Sequence, residues 1–203
     1  MLMLLLRAEH LHKKYRHKHV LNGVNLEVYS GRLIGIVGEN GSGKSTLLKI
    51  LAGELDSDKG DILYNGSVGY CPQQPEVNKS LTVAENLDYF KSAYKMSDMS
   101  YTESLVEEFR LKKHKKTLAN NLSGGTYQKL NLLLALMHQP STLLLDEPYQ
   151  GFDWDTYQRF WNLVERMKKN NQAVIIVSHL LYDHQKFDHI LHLHKGYLTN
   201  ESI

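Results

Sequence analysis

Nine consecutive residues carry the densest chemistry in this chain: Gly38-Glu39-Asn40-Gly41-Ser42-Gly43-Lys44-Ser45-Thr46. They follow the apolar run Leu33-Ile34-Gly35-Ile36-Val37 and open into Leu47-Leu48-Lys49-Ile50-Leu51-Ala52. The order is a buried strand, a tight glycine loop and the start of an apolar helix. The spacing G-x-x-x-x-G-K-[ST] is that of a phosphate-binding loop. Glycines let the backbone curl until successive N–H groups face one small concavity, where a side chain would block an approaching phosphate. A helix opening at Lys44 adds free N–H groups and the positive end of its dipole. Lys44 supplies a point charge for the β- and γ-phosphates, and the Ser45 hydroxyl suits Mg2+.

Two carboxylates end a second apolar run, Leu143-Leu144-Leu145-Asp146-Glu147-Pro148. In a doubly wound sheet, the carboxyl ends of the strands face the crevice where ligands bind. Asp146 fits the position that holds Mg2+ together with the loop hydroxyl. Glu147, one residue on, points elsewhere and can orient or deprotonate a water aimed at a γ-phosphate. Ile175-Ile176-Val177-Ser178-His179 repeats the arrangement, and a histidine there can donate to a γ-phosphate oxygen.

The rest of the chain must hold these groups. Its 203 residues suffice for one compact domain. Hydrophobic residues at 42% and charged residues at 23% are ordinary for a globular protein, and a net charge of +2 gives no push toward nucleic acid. Cys71 is the single cysteine, which excludes an internal disulfide and a cysteine metal site. The apolar start, Met1 to Leu6, stops at Arg7, too short to span a bilayer and without the features of a signal peptide. No later run reaches the roughly 18 apolar residues of a membrane helix, so service to a membrane would go through a partner.

In order, residues 4–11 read as an edge strand, 13–19 as a basic turn, and 20–28 as a strand entered by a turn at Asn22-Gly23. Asp58-Lys59-Gly60 and Asn65-Gly66 flank a short strand over 61–64 and signal a hairpin. A strand over 67–71 stops at Pro72. Thr82 and Glu85 have capping-box spacing at the head of a helix running to about Tyr94. A second amphipathic helix covers 103–110, and the lysine-rich stretch 112–116 reads as a solvated cap. Residues 74–121 therefore read as a helical insertion in an α/β body. Beyond it come an apolar helix over 127–138, the strand 142–146, a helix over 155–170, the strand 173–177 and a half-exposed strand over 190–194. Alternation of strands and helices predicts a parallel sheet covered on both faces.

Together these elements resemble the nucleotide-binding subunit of an ABC transporter over nearly the whole chain. Leu122-Ser123-Gly124-Gly125-Thr126-Tyr127-Gln128 resembles the family signature, Leu-Ser-Gly-Gly-Gln in its commonest form. Gln73 matches the Q-loop glutamine, Asp153 the D-loop aspartate and His179 the switch histidine, and Tyr15 stands where the family places an aromatic on adenine. The resemblance implies a P-loop NTPase with a RecA-like parallel core, an antiparallel β subdomain and a helical subdomain at 74–121, all within a single domain over 1–203. It implies ATP and Mg2+ as ligands, with Ser45, Gln73 and Asp146 on the metal and Glu147, Gln73 and His179 serving hydrolysis. Two subunits, identical or close paralogues, would pair head to tail around two ATP, Ser123, Gly124 and Gly125 of one facing the nucleotide on the glycine loop of the other. A separate permease would anchor the pair at the cytoplasmic face of the membrane, with no nucleic acid involved.

The residues 81–87 look most like exporters of the ABC-2 type. The alternatives are a soluble ABC-type ATPase acting on ribosomes or DNA, for which a second nucleotide domain, a coiled coil or a zinc module would speak, and an importer subunit. Two departures from the family pattern stand out: Thr126 replaces the usual glutamine, and Tyr149-Gln150-Gly151-Phe152-Asp153-Trp154 is bulkier than the usual D-loop. The pairs His10/His12 and His192/His194 could share a strand face, but no carboxylate or cysteine completes a metal site. Cys71 reads as a small buried apolar residue.

Overall fold

The computed structural model describes residues 2–178 and 184–200. Its strands are β1 (Leu4–Tyr15), β2 (Lys18–Tyr29), β3 (Leu33–Val37), β4 (Lys59–Tyr64), β5 (Val68–Cys71), β6 (Thr142–Asp146), β7 (Ala173–Ser178), β8 (His189–His194) and β9 (Tyr197–Asn200). Its helices are α1 (Lys44–Leu51), α2 (Val83–Ala93), α3 (Ser100–Glu108), α4 (Gly124–Leu136) and α5 (Trp154–Lys169). Six strands form one sheet in the order β5-β6-β7-β3-β8-β9, and three form a second in the order β2-β1-β4. In the larger sheet β5 through β8 are parallel, and β9 is antiparallel to β8.

β3, β6 and β7 are buried along their whole length, as uninterrupted apolar runs require. Side chains alternate across a strand, so each strand feeds two cores. Leu33, Leu143, Leu145, Val174 and Ile176 pack on one face with helices α2 to α5. Ile34, Ile36, Leu144, Ile175 and Val177 pack on the other with α1 and the antiparallel sheet. Helix α5 buries Phe160, Leu163, Val164 and Met167 as one stripe. Full burial of each such side chain contributes about 1.5–3 kcal/mol.

Several sequence expectations change. β1 is the central strand of its sheet and not an edge, because it pairs with β2 on one side and β4 on the other. It also runs on to Tyr15, so the basic stretch is mostly strand, and the turn is confined to Arg16-His17. Asn22-Gly23 is not a turn: β2 runs through it, with Gly23 left-handed (φ 76°) beside a register shift. The strand at 61–64 makes no hairpin with the next, since β4 pairs with β1 and β5 joins the parallel sheet. Apolar alternation cannot distinguish a tight hairpin from a crossing between sheets. Helix α4 begins at Gly124, three residues before the apolar periodicity does. The chain pairs once more after Gly196, as β9.

The segment between β5 and α4 is helical. The Thr82–Glu85 capping box is formed in both directions, the Glu85 side chain accepting from Thr82 N at 2.7 Å and Thr82 Oγ1 accepting from Glu85 N at 3.2 Å. Lys112–His114 forms a 3-10 turn, with Lys112 on Glu107 and Lys115 on Glu103. Glu108 takes both arms of Arg166 at 3.0 and 2.6 Å, tying the end of α3 to α5. Among the described residues no helix is long and apolar enough to cross a membrane. Also among them, no group of three or more histidine, cysteine or acidic residues could hold a metal ion.

Candidate active site

The glycine loop leaves the carboxyl end of β3 and caps α1 through Gly43, whose φ of 108° excludes most side chains. A Cβ on Gly43 would lie 2.8 Å from the Val20 side chain, and one on Gly38 would collide with the Leu193 carbonyl. Gly41, left-handed at φ 77°, faces open space. The loop is therefore pinned from behind by β2 and β8 and open in front. Ser42 Oγ is buried and finds no hydrogen-bond partner among the described residues.

Lys44 is 8% exposed, and its Nζ lies inside the loop, donating to the carbonyls of Gly38 at 2.7 Å and Glu39 at 3.0 Å. Burial holds its pKa below the ordinary lysine value, while Glu147 and Asp146 pull the other way. The converse holds for Asp146: burial raises its carboxyl, the Ser45 hydroxyl that donates to it lowers it, and Glu147 raises it further. Burial disfavours the ionised state of each group, while each group's charge supports the other's.

A cleft of about 550 Å3 opens over this loop. It is lined by Tyr15, Lys18, Val20, Asn40, Gly41, Gly43, Lys44, Ser45, Thr46, Gln73, Asp146 and Glu147. Ser45, Gln73 and Asp146 thus share one cavity, an all-oxygen set of the kind Mg2+ takes when phosphates complete its shell. Tyr15 stands at the rim, 49% exposed, with Lys13 over its ring at 5.9 Å. Glu147 is left-handed (φ 51°), and its N–H donates to the Val177 carbonyl at 3.0 Å. The backbone thus finishes its pairing with β7 as the chain reverses hand, a conformation costing about 1–2 kcal/mol that persists where surroundings impose it. Ser178, fully buried at the end of β7, donates from Oγ to Glu147 Oε2 at 3.4 Å.

Gly38, Glu39 and Ser42 complete the loop without lining the cleft. Ser123, Gly124, Gly125 and Asp153 lie outside it. Ser123 caps α4, its Oγ 2.9 Å from Thr126 Oγ1 and accepting weakly from Thr126 N at 3.4 Å. Ser123 and Gly124 are exposed. The threonine that departs from the signature thus steadies the serine beside it. Asp153 caps α5, accepting from Thr156 N at 2.8 Å, and the D-loop turn runs against the first turn of α4. His179 lies outside the described residues. Sequence reasoning passed over Lys18 and Val20, which reach the cleft from β2, and gave Ser178 no role. Their only signal was position, at a strand end or in a basic stretch.

Residues 21–150 match the ABC transporter family. The chain is 33% identical over 186 residues to YthP, an uncharacterized ABC transporter ATP-binding protein of Bacillus subtilis, covering 89% of this chain and 79% of that one. Its fold matches a solved ATP-binding subunit of an ABC transporter with a TM-score of 0.91 at 26% identity, covering 98% and 90%. It also matches an ATP-binding cassette, solved as a dimer in a post-hydrolysis state with ADP and phosphate, with a TM-score of 0.88 at 22% identity, covering 97% and 98%. The fold and the phosphate loop define a P-loop NTPase of the ATP-binding cassette type. The chain belongs to the ABC transporter family, as an ATP-binding domain that couples ATP hydrolysis to transport.

Proposed function

We propose that this chain is the ATPase subunit of a membrane exporter, that it pairs with a second copy or a close paralogue around two ATP, and that its permease is a separate chain. One observation carries the pairing. The cleft's groups suited to phosphate come from this chain's own glycine loop, while the exposed Ser123–Gly124 helix start lies outside the cleft. A helix N-terminus with a serine cap suits a terminal phosphate, and another chain must bring it there. The dimeric cassette matched above agrees with such pairing, as its fold is the same.

In this reading Tyr15 stacks on adenine at the rim and Lys44 turns its ammonium from the loop carbonyls to the β- and γ-phosphates. The fit of Ser45, Gln73 and Asp146 to Mg2+ names its ligands here, and the ion supplies charge neutralisation at the phosphate oxygens. Glu147 orients the attacking water and takes its proton, with Ser178 steadying one carboxylate oxygen. His179 donates to the γ-phosphate, and Asp153 reads the facing subunit across the seam. Residues 74–121 act as a helical subdomain hinged at Gln73, and the resemblance of 81–87 to ABC-2 exporters supports export. Loss of the γ-phosphate removes the ligand common to both subunits, so the pair loosens.

Glu147→Gln tests this. The variant should keep ATP binding, lose at least about 100-fold in turnover and run as a dimer with ATP in light scattering. Unchanged hydrolysis would remove Glu147 as the base, and a monomer at saturating ATP would remove the shared nucleotide.

A further inference from the structure

Helix α4 carries a buried amide that the chemistry above does not use. Asn131 is 4% exposed in a helix whose other buried residues are leucines, Ala135 and, one turn earlier, Gln128. Its Nδ2 donates to the Pro72 carbonyl at 2.8 Å and to the Cys71 sulfur at 3.2 Å. Pro72 follows the last residue of β5 and precedes Gln73, which lines the cleft. The carbonyl that Asn131 holds therefore belongs to the same peptide group as the Gln73 backbone N–H.

Two more contacts make the attachment rigid. At the other end of β5, the His138 Nε2 lies 3.2 Å from the Val68 carbonyl. Between them, Gly69 lets the helix backbone lie directly on the strand, since a Cβ there would collide with the Ala135 carbonyl. Helix and strand are thus fixed at both ends and in the middle. The same helix is capped by Ser123, about 12 Å from Asn131 at 1.5 Å per residue. One rigid body spans the exposed signature turn and the peptide before Gln73.

We infer that Asn131 is a positioning residue for Gln73: its amide fixes the Pro72 carbonyl and so sets where the glutamine enters the ATP cleft, in register with the signature turn. A leucine at this position, close to asparagine in length, could donate neither bond. It would leave the Pro72 carbonyl buried without a donor, a state that proteins rarely tolerate. The amide exists to hold that one peptide. Because misplacement of a catalytic group by about 1 Å can cost about 100-fold, a partial slip costs about 10-fold.

The inference rests on Gln73 belonging to the ATP site, and the experiment separates the two. Asn131→Ala, Cys71→Ala and Gln73→Ala are made in the full chain labelled with 15N-glutamine, Gln73→Ala serving to assign the Gln73 signals. Asn131→Ala should shift the Gln73 resonances while the other glutamine signals stay in place. Its kcat for ATP should fall about 10-fold with KM within about twofold. Cys71→Ala, which keeps the Pro72 bond, should leave the Gln73 signals and kcat at wild-type values. Where Asn131→Ala is insoluble, Asn131→Gln is read in its place, its longer amide displacing the same carbonyl. Unmoved Gln73 signals in the Asn131 variant, with only a lower Tm, would overturn the inference. Wild-type turnover in Gln73→Ala would instead sink the role of Gln73, and the resonance shift would still decide what Asn131 holds.

Discussion

Gly124 and Gly125 sit side by side in the first turn of α4, yet alanine should act on them with opposite sign. A Cβ on Gly124 meets no atom within 4 Å, whereas one on Gly125 would lie 2.5 Å from the Gly151 carbonyl in the D-loop turn. In a helix alanine is preferred over glycine by about 0.5–1 kcal/mol, so Gly124→Ala should stabilise the free protein by up to that amount. At Gly125 the same gain is opposed by a carbonyl that must retreat by at least about 0.5 Å. Overpacking of this kind costs about 1–3 kcal/mol. The net loss is about 1–2 kcal/mol. For a chain of this length a kcal/mol is worth about 2–4 °C, so Gly125→Ala should melt about 3–6 °C below the wild type and Gly124→Ala about 1–3 °C above it. Thermal unfolding followed by circular dichroism, without nucleotide, reads both. A Gly125→Ala protein as stable as Gly124→Ala would show that the D-loop turn does not rest on the signature helix.

Two further substitutions follow from charges that the fold holds away from their ordinary ionisation. Asp146 is raised by burial, so the native state prefers it protonated and loses stability as pH climbs through its pKa. Asp146→Asn should therefore raise the Tm at pH 7 while turnover drops at least about 100-fold, and a lower Tm would contradict the placement of that carboxylate. At Asp188, burial alone would raise the carboxyl, but the Leu33 N–H and Lys168 outweigh it and hold it below the usual range. Its contribution is complete at pH 7 and is lost as pH falls through about 4 and below. The stability gap between wild type and Asp188→Asn should close over that window in urea titrations, and a gap constant from pH 7 to pH 3 would refute it.

The glycine loop and the carboxylates that share its cleft are legible in the sequence because short spacings enforce them. Gly43 and Lys44 must sit where a strand becomes a helix, and Asp146 must follow a run that only a buried strand accommodates. The antiparallel sheet is less legible. β1 and β2 are half-exposed and bulged at Gly23 and between Glu9 and His12, and bulges break the period-two pattern that would reveal their partners. Ser123-Gly124-Gly125 opens α4 as its sequence suggests, but the apolar run from Tyr127 marks the helix only from its second turn. Asn131 escaped notice for a related reason. A buried amide in a leucine-rich helix carries no spacing signal, and its meaning lies in a carbonyl 59 residues away in sequence.

The cleft draws its walls from both sheets: Tyr15, Lys18 and Val20 come from the antiparallel one, and Gln73, Asp146 and Glu147 follow strands of the parallel one. Whatever fills it grips the two layers at once, like a splint across a joint. Occupancy then adds to the adhesion between layers as well as to catalysis, by an amount that grows with the logarithm of ligand concentration. Emptied of its ligand, the protein should open at lower temperature and yield to protease sooner than when the cleft is filled.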